Sequence, residues 1–521
     1  MRRVTLRRTL ALAGVAALAA TATATLAVRY AGRAQRVAIT VDVAHPGRAL
    51  PTSFLGLSLE APAVPAYAGT AAHPNRALAR LLATLGAAQG SPVALRIGGN
   101  TTDESWWAPG AVPGSRPRRA RFALGARWLE RLSSLARATR GPVTVGANLA
   151  ADDPGRALAF ARAVRAALPR GALRTLEIGN EPDLYTRRAA FRAGHDLVRR
   201  VARRARYSQA RYAADVRRYV ATLSAGLGRD PALAAGGFAG VSWDAVLGPL
   251  LRAERGRVRA LSAHAYPLDG CPGHARPDVQ LSRLLSDTAS RGLAAGVARM
   301  VAIGRRAGAA VRVTEMNSAT CGGVPGISDA FASALWAPGA LFAMAQAGVG
   351  GVDVHSWPGA PYAPFAFGAS GRAARARPLY YGMLLFADAV GHGSRLLPAR
   401  VSTASGVRAW ATLARAGGVR IVAVNPSSSK AARVTVTLRG VGARPATLQL
   451  LRAPGLRARR GVSLAGRAIG ADGRLHGRDR SAPVVPVAGG WRFILPPASA
   501  GLLSSASWIH GGHERQHKAR S

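Results

Sequence analysis

Two glutamates in this chain sit where apolar runs stop. Glu181 closes the run in LEIGNEPDLY, residues 176–185, and Glu315 closes the run in AAVRVTEMN, residues 309–317. One carboxylate at such a place serves as a solvated turn residue, but a pair matches a specific chemistry. Cleavage of a glycosidic bond takes one carboxylic acid that protonates the leaving oxygen and one carboxylate that meets the positive charge developing on the sugar carbon. Carboxyl groups about 5–5.5 Å apart imply a covalent intermediate and retained configuration; about 6.5–9.5 Å leaves room for a water and implies inversion. Pro182 bars the run from continuing past Glu181, and the Asn180 amide beside it can hydrogen-bond a sugar hydroxyl.

Other polar residues fall in the same kind of place. Glu60, Asn100, Asn148, His264 with Tyr266, Asn317, and His355 with Trp357 all lie at the C-terminal ends of apolar runs. Ordinary turn residues would occupy both ends about equally.

The runs that must position these groups are residues 53–60, 93–100, 142–150, 174–181, 232–240, 258–266, 309–317 and 351–357. Amphipathic helical stretches such as NRALARLLATLG, RWLERLSSLARA, ALAFARAVRAAL and DAFASALWAPGALFAMAQAG separate them. Nearly all-apolar strands alternating with helices imply a parallel sheet covered on both faces. Eight such units suit an α/β fold of the (β/α)8 barrel type, whose active sites lie at the C-terminal ends of the strands. The fourth and seventh strands of such a barrel face each other, so Glu181 and Glu315 would converge. A doubly wound sheet is disfavoured because no Gly-rich phosphate fingerprint opens the first helix.

After about residue 392 the helical period vanishes, and alternating runs such as VRIVAVNP and ARVTVTLRG follow one another between Gly, Pro and Ser turns. That pattern predicts a C-terminal antiparallel β-sandwich. The expected organisation is a signal peptide or N-terminal membrane anchor over 1–35, a strand in 36–50 that joins the C-terminal β-domain, a catalytic barrel over 51–391, the sandwich over 392–505 and a disordered tail over 506–521.

LEIGNEPDLY resembles the acid/base motif of the clan A glycoside hydrolases, in which an Asn-Glu pair ends the fourth strand, and VTEMNSATCGG resembles their nucleophile strand. LRIGGNTTD, the spacing from Glu315 to Gly322-Gly323 and the following SDAFASALWA resemble, more narrowly, glycoside hydrolase family 79, the family of heparanase and bacterial β-glucuronidases. The resemblance spans about residues 53–357. It implies an enzyme, a retaining β-glucuronidase-like hydrolase, with Glu181 as acid/base and Glu315 as nucleophile. It also implies that Glu60 and Asn100 hold sugar hydroxyls, that Tyr266 hydrogen-bonds the nucleophile, and that the backbone N–H groups of Gly322 and Gly323 approach a substrate carboxylate. Members that read glucuronate commonly carry Tyr immediately before the Gly-Gly; this chain has Thr320-Cys321, which leaves that contact to Trp357 or Tyr362. Other clan A specificities (β-xylosidase, β-glucosidase, arabinofuranosidase) and a non-catalytic carbohydrate-binding protein of the cell envelope are the rival readings. No cofactor is expected.

The 521 residues suffice for several domains, and a hydrophobic fraction of 49% excludes wholesale disorder. The formal net charge of +46 is carried almost wholly by Arg, amid abundant Ala and Gly, which fits GC-rich coding bias and scattered surface arginine. Such a charge still steers acidic polymers, so the expected partner is an oligo- or polysaccharide, acidic chains included. No dense basic run with interleaved aromatics occurs, and nucleic acid is not expected. Four arginines precede an apolar stretch over residues 9–28, the pattern of a segment that directs export. In an exported chain the isolated pair Cys271 and Cys321 is a disulfide candidate; two free thiols are the alternative. A zinc site from His264, Cys271, His274 and Cys321 is conceivable on spacing, but the hydrolysis needs no metal. His513 to His517 fits the H-E-x-x-H pattern, yet it lies too near the chain end to be buried. His195 reads as a helix-surface histidine.

Overall fold

A computed structural model describes residues 34–508 apart from 71, 111–119, 187–188, 194–195, 201–205, 273–278, 368–373, 392 and 403–404. The expected export segment, His195, His274 and the His513–His517 motif lie outside these residues.

Eight parallel strands close into a barrel: β1 (Leu55–Leu59), β2 (Ala94–Ile97), β3 (Val143–Ala147), β4 (Leu173–Ile178), β5 (Ala232–Phe238), β6 (Val258–Ala265), β7 (Ala310–Met316) and β8 (Val352–Ser356). β8 pairs with β1, which completes the ring. A helix follows each strand: α1 (Arg76–Gln89), α2 (Ala126–Thr139), α3 (Pro154–Ala167), α4 (Gln209–Leu227), α5 (Leu247–Ala253), α6 (Leu293–Ala307), α7 (Phe331–Ala347) and α8 (Pro378–Val390). Local chemistry sets several of their starts. The side chains of Asn75, Asp153 and Ser208 accept from backbone N–H groups in the first turns of α1, α3 and α4, and Pro154 opens α3 with its ring already at a helical φ. Ala189–Ala193 pairs antiparallel with Asp196–Arg200.

α7 and α8 are apolar on all sides, and nearly every residue in them is buried. They need a second cover besides the barrel, and the C-terminal domain provides it. Trp410 stacks on Phe342 with ring centroids 5.5 Å apart and planes 2° from parallel. Trp410, Val422, Val424, Leu451 and Leu502 join the barrel residues in one continuous core. The C-terminal region is built from a seven-stranded antiparallel sheet and a five-stranded sheet, with a separate apolar core that includes Ile39, Val434 and Trp491. The early strand Gln35–Asp42 enters the five-stranded sheet, parallel to Ala432–Arg439 and antiparallel to Ala399–Val401, so both ends of the described chain are tied into one domain. Among the described residues no helix is long and apolar enough to cross a membrane.

Candidate active site

The barrel interior carries charge at positions where its strands would otherwise be apolar. Arg96 of β2 is fully buried. Its guanidinium donates to Glu177 Oε2 through Nε at 2.9 Å and Nη2 at 2.6 Å, to Glu315 Oε2 at 2.9 Å, to Ser58 Oγ at 3.2 Å and to Asn180 Oδ1 at 2.9 Å. Glu177 also accepts from Thr314 Oγ1 of β7 at 2.9 Å. Burial works against the Glu177 carboxylate, but the adjacent Arg96 charge, with His264, outweighs it and lowers the pKa. Arg96 in turn is held above its ordinary value, because the two carboxylates overcome the cost of its burial. This cluster ties β1, β2, β4 and β7 together directly beneath the open end of the barrel.

Glu315 and Glu181 stand above it. Glu315, on β7, accepts from Tyr266 Oη at 2.6 Å on one oxygen and from Arg96 on the other. His264 Nδ1 and His355 Nε2 each lie 3.7 Å from this carboxylate. Burial alone would raise its pKa; the charges of His355, His264 and Arg96 and the Tyr266 hydrogen bond hold it well below the usual carboxylate range. Glu181 follows β4 in a left-handed conformation, φ 47°, which is costly for a residue with a Cβ. Its backbone N–H is tied to Gly237 O at 2.8 Å, and its carboxyl lies 3.1 Å from His264 Nδ1. One oxygen of Glu181, one of Glu315 and a ring nitrogen of His264 all lie within 4.8 Å of one another. His264 is fully buried; burial opposes its charge, but Glu315 and the Glu181 hydrogen bond raise its pKa.

A Glu-His-Glu triangle of this size has the donors of a metal site. Arg96, however, already places a positive charge against Glu315 and reaches 3.5 Å from His264 Nε2, so a divalent ion there would meet a fixed cation at contact range. The four-residue zinc grouping fails outright, because Cys271 and Cys321 form a disulfide with a Cα–Cα distance of 4.9 Å and offer no thiolates.

The remaining expected site residues differ in what holds them. Asn180 is fully buried, with its amide shared between Arg96 and Asn100 Oδ1, the latter at 3.4 Å. Tyr362 is buried against His355, ring centroids 5.8 Å apart, and burial together with Glu315 and Glu60 raises its pKa, so its hydroxyl keeps its proton. Among the described residues nothing hydrogen-bonds that hydroxyl. Trp357 is half-buried just beyond β8. Glu60 is turned to the protein: its carboxylate accepts from the backbone N–H groups of Asn100 at 3.1 Å and Thr101 at 2.8 Å, and from the Thr101 hydroxyl. A Cβ on Gly99 would lie 2.6 Å from it. The Gly323 N–H donates to Thr320 O at 3.1 Å, so that donor is committed to its own turn. Asn148 braces the loops, donating to Ser105 O at 2.8 Å.

Sequence reasoning left Arg96, Glu177 and Asp103 without roles. Asp103 accepts from the backbone N–H groups of Leu149, at 3.0 Å, and Asn180, at 3.1 Å, and from Tyr185 Oη at 2.7 Å, and so fixes the turn that carries Glu181. The available signal was a charge inside an apolar run, VALRIGG and RTLEIG, at a position whose period-two alternation faces the barrel interior.

No protein-family model matches the chain, and no curated protein matches it. Among solved structures the fold is similar to a 4-O-α-L-rhamnosyl-β-D-glucuronidase from Fusarium oxysporum 12S in complex with Rha-GlcA, at 19% identity and a TM-score of 0.71 over 89% of this chain and 100% of that one. It is similar to the GH51 arabinofuranosidase of Xanthomonas axonopodis pv. citri, at 16% identity and a TM-score of 0.66 over 90% and 100%. It is also similar to a Paenibacillus polymyxa xyloglucanase from GH family 44, at 9% identity and a TM-score of 0.59 over 91% and 100%. These neighbours share with this chain the barrel and its appended β-domain.

Proposed function

We propose that this protein is a retaining glycoside hydrolase acting on β-glucuronosyl or related β-glycosides. The observation that carries the reading is the approach of Glu181 and Glu315, from strands three places apart round the barrel, to within 4.8 Å between one oxygen of each, a closeness that suits a covalent route better than one with an intervening water. In the first step a Glu315 oxygen bonds to the anomeric carbon, the bond to the leaving oxygen breaks, and Glu181 gives that oxygen its proton. In the second, water bonds to the anomeric carbon, Glu181 takes a proton from it, and Glu315 departs as a carboxylate. The depressed pKa of Glu315 suits a group that must be ionised to attack. A β-glucuronoside is supported by the family 79 resemblance and by the likeness to a glucuronidase; the arabinofuranosidase neighbours make an arabinofuranoside the second reading.

A panel of nitrophenyl glycosides tests the proposal, with the configuration of the first product read by NMR. Retention with the glucuronide as the preferred substrate is expected. An inverted product, or full activity in Glu315→Gln, would overturn the mechanism, and preference for the arabinofuranoside would move the specificity to the second reading. Export belongs to the same proposal, supported by the basic-then-apolar N-terminal segment and by a disulfide of the kind that persists in oxidising compartments. Recovery of the full-length chain in the cytoplasm of its host would contradict it.

A further inference from the structure

Beside the barrel mouth, a cavity of about 180 Å³ is lined by Asp329, Arg375, Arg377, Arg459 and Arg460. Three parts of the chain meet there. Asp329 comes from the loop after β7, the loop that carries Gly322 and Gly323. Arg375 and Arg377 come from the loop after β8, which carries Tyr362. Arg459 and Arg460 come from the C-terminal domain, at a segment docked on the start of α7 through Phe331 N to Ala458 O at 2.8 Å and Ala332 N to Leu456 O at 3.0 Å. The two loops are themselves joined by Tyr362 N to Gly322 O at 3.2 Å.

The charges in this cavity do not balance. Asp329 is the one carboxylate among the lining residues. It already accepts from Gly326 N at 2.6 Å and pairs with Arg459 Nε at 3.2 Å. Arg377 is turned to the carbonyls of Ala360 and Pro361, the latter at 3.2 Å, just ahead of Tyr362. No carboxylate lies within ion-pair distance of Arg375 or Arg460 among the described residues. Burial lowers the pKa of Arg377, and although Asp329 works the other way, Arg375 and Arg459 lower it further. Four guanidinium groups from two domains face a single carboxylate here, and a bound anion would offset the excess positive charge.

We propose that Arg375, Arg377, Arg459 and Arg460 form an anion-binding subsite for an acidic group, carboxylate or sulfate, of a glycan lying across the barrel mouth. The inference rests on the reading of that mouth as a glycan-binding site. It deepens that reading by assigning an anionic chain, rather than a neutral one, to the part of the substrate beyond the cleaved sugar. Guanidinium groups suit this task because their paired N–H donors match the two oxygens of a carboxylate or sulfate. The cavity is small and concave, the size for one acidic substituent rather than for a membrane surface or a nucleic-acid backbone.

Calorimetric binding to the full chain tests the subsite, with three probes: a glucuronate-containing tetrasaccharide, the same tetrasaccharide with its carboxyl groups reduced, and a sulfated neutral tetrasaccharide. Arg375→Ser/Arg460→Ser should weaken the acidic tetrasaccharides about tenfold or more, the size expected for losing two charge-assisted contacts. Arg439→Ser/Arg492→Ser removes the same charge from the exposed face of the C-terminal domain and should change binding less than about twofold. Whichever acidic probe is lost identifies the group read, and the reduced tetrasaccharide should not distinguish the two variants. Unchanged binding of both acidic probes, or an equal loss in the control variant, overturns the proposal. The single variants Arg375→Ser and Arg460→Ser carry the same reading should the double variant fail to fold. Because binding is measured, absence of glycoside turnover by the native protein would sink the hydrolase reading while leaving this result intact.

Discussion

The Tyr266 hydroxyl donates to Glu315 Oε1 at 2.6 Å while Arg96 donates to Oε2 at 2.9 Å. Each oxygen of this buried carboxylate thus has a donor on a different strand end. A hydrogen bond to a carboxylate favours its charged form, and burial with the neighbouring negative charge keeps Tyr266 protonated and donating. In a double displacement that charge is spent when Glu315 bonds to the sugar and regained when it leaves.

Tyr266→Phe therefore acts most on the second step. The departing Glu315 carboxylate loses a charge-assisted hydrogen bond worth about 1.5–3 kcal/mol, which corresponds to about 10–100-fold in rate. With an activated aryl glycoside, whose good leaving group speeds the first step, the variant should release a burst of phenol equal to the enzyme concentration and then turn over slowly. A stopped-flow trace without a burst, at a rate near that of the native protein, would count against Glu315 as the nucleophile.

Arg96 serves Glu177 and Glu315 together, with no exposure of its own. Arg96→Met keeps much of the volume but strips two buried carboxylates of the one guanidinium they share. Removing one partner of a buried pair typically costs about 3–5 kcal/mol, and urea unfolding should show a loss of at least that size. Arg96→Met/Glu177→Met should recover part of it, because the second change removes one of the stranded charges. A double variant less stable than the single one would mean that packing, not charge, sets the cost.

Much of this arrangement was legible in the sequence, because it is set by local pattern. The eight strands announced themselves as short apolar runs, and Glu181 and Glu315 stood at their ends. Arg96 and Glu177 were not legible as partners: they are 81 residues apart in sequence, and Glu315 lies 219 residues from Arg96. Only closure of the barrel brings them together. Glu60 illustrates the converse. It sits at a strand end like Glu181 and Glu315, but the N–H groups of the turn at Asn100 and Thr101 claim its carboxylate, and nothing in GLSLEAP signals that turn. The left-handed Cys321-Gly322-Gly323 turn, φ 55°, 91° and 86°, uses the Gly323 donor that spacing alone would have offered to a ligand.

The pKa shifts set the pH range of the folded site. Glu315 is held below its ordinary 4.5, so its contribution to stability is whole above that value and is lost as pH falls below it toward the depressed pKa. His264 is held above 6.5, so its contribution is whole below 6.5 and is lost as pH rises past that value. Melting temperature should accordingly be highest between these limits. His264→Gln should remove the decline above 6.5 while leaving the acid limb in place. An unchanged alkaline slope in the variant would assign that decline to other groups.

The disulfide closes a loop of 50 residues that contains α6 and the whole of β7. In the loop-entropy account, a cross-link of that length removes about 4 kcal/mol of disorder from the unfolded chain. Cys271→Ser/Cys321→Ser should lower unfolding free energy by about 2–4 kcal/mol, measured by urea denaturation under conditions that keep the native protein oxidised. The functional effect should be more local. Cys321 directly precedes Gly322, whose carbonyl accepts from Tyr362 N, so freeing it loosens the loop that joins the β7 and β8 sides of the mouth. KM for an aryl glycoside should rise, with kcat changed much less, because Glu315 is anchored by Tyr266 and Arg96 rather than by this loop. A fall in kcat with KM unchanged would instead mean that the disulfide positions the nucleophile.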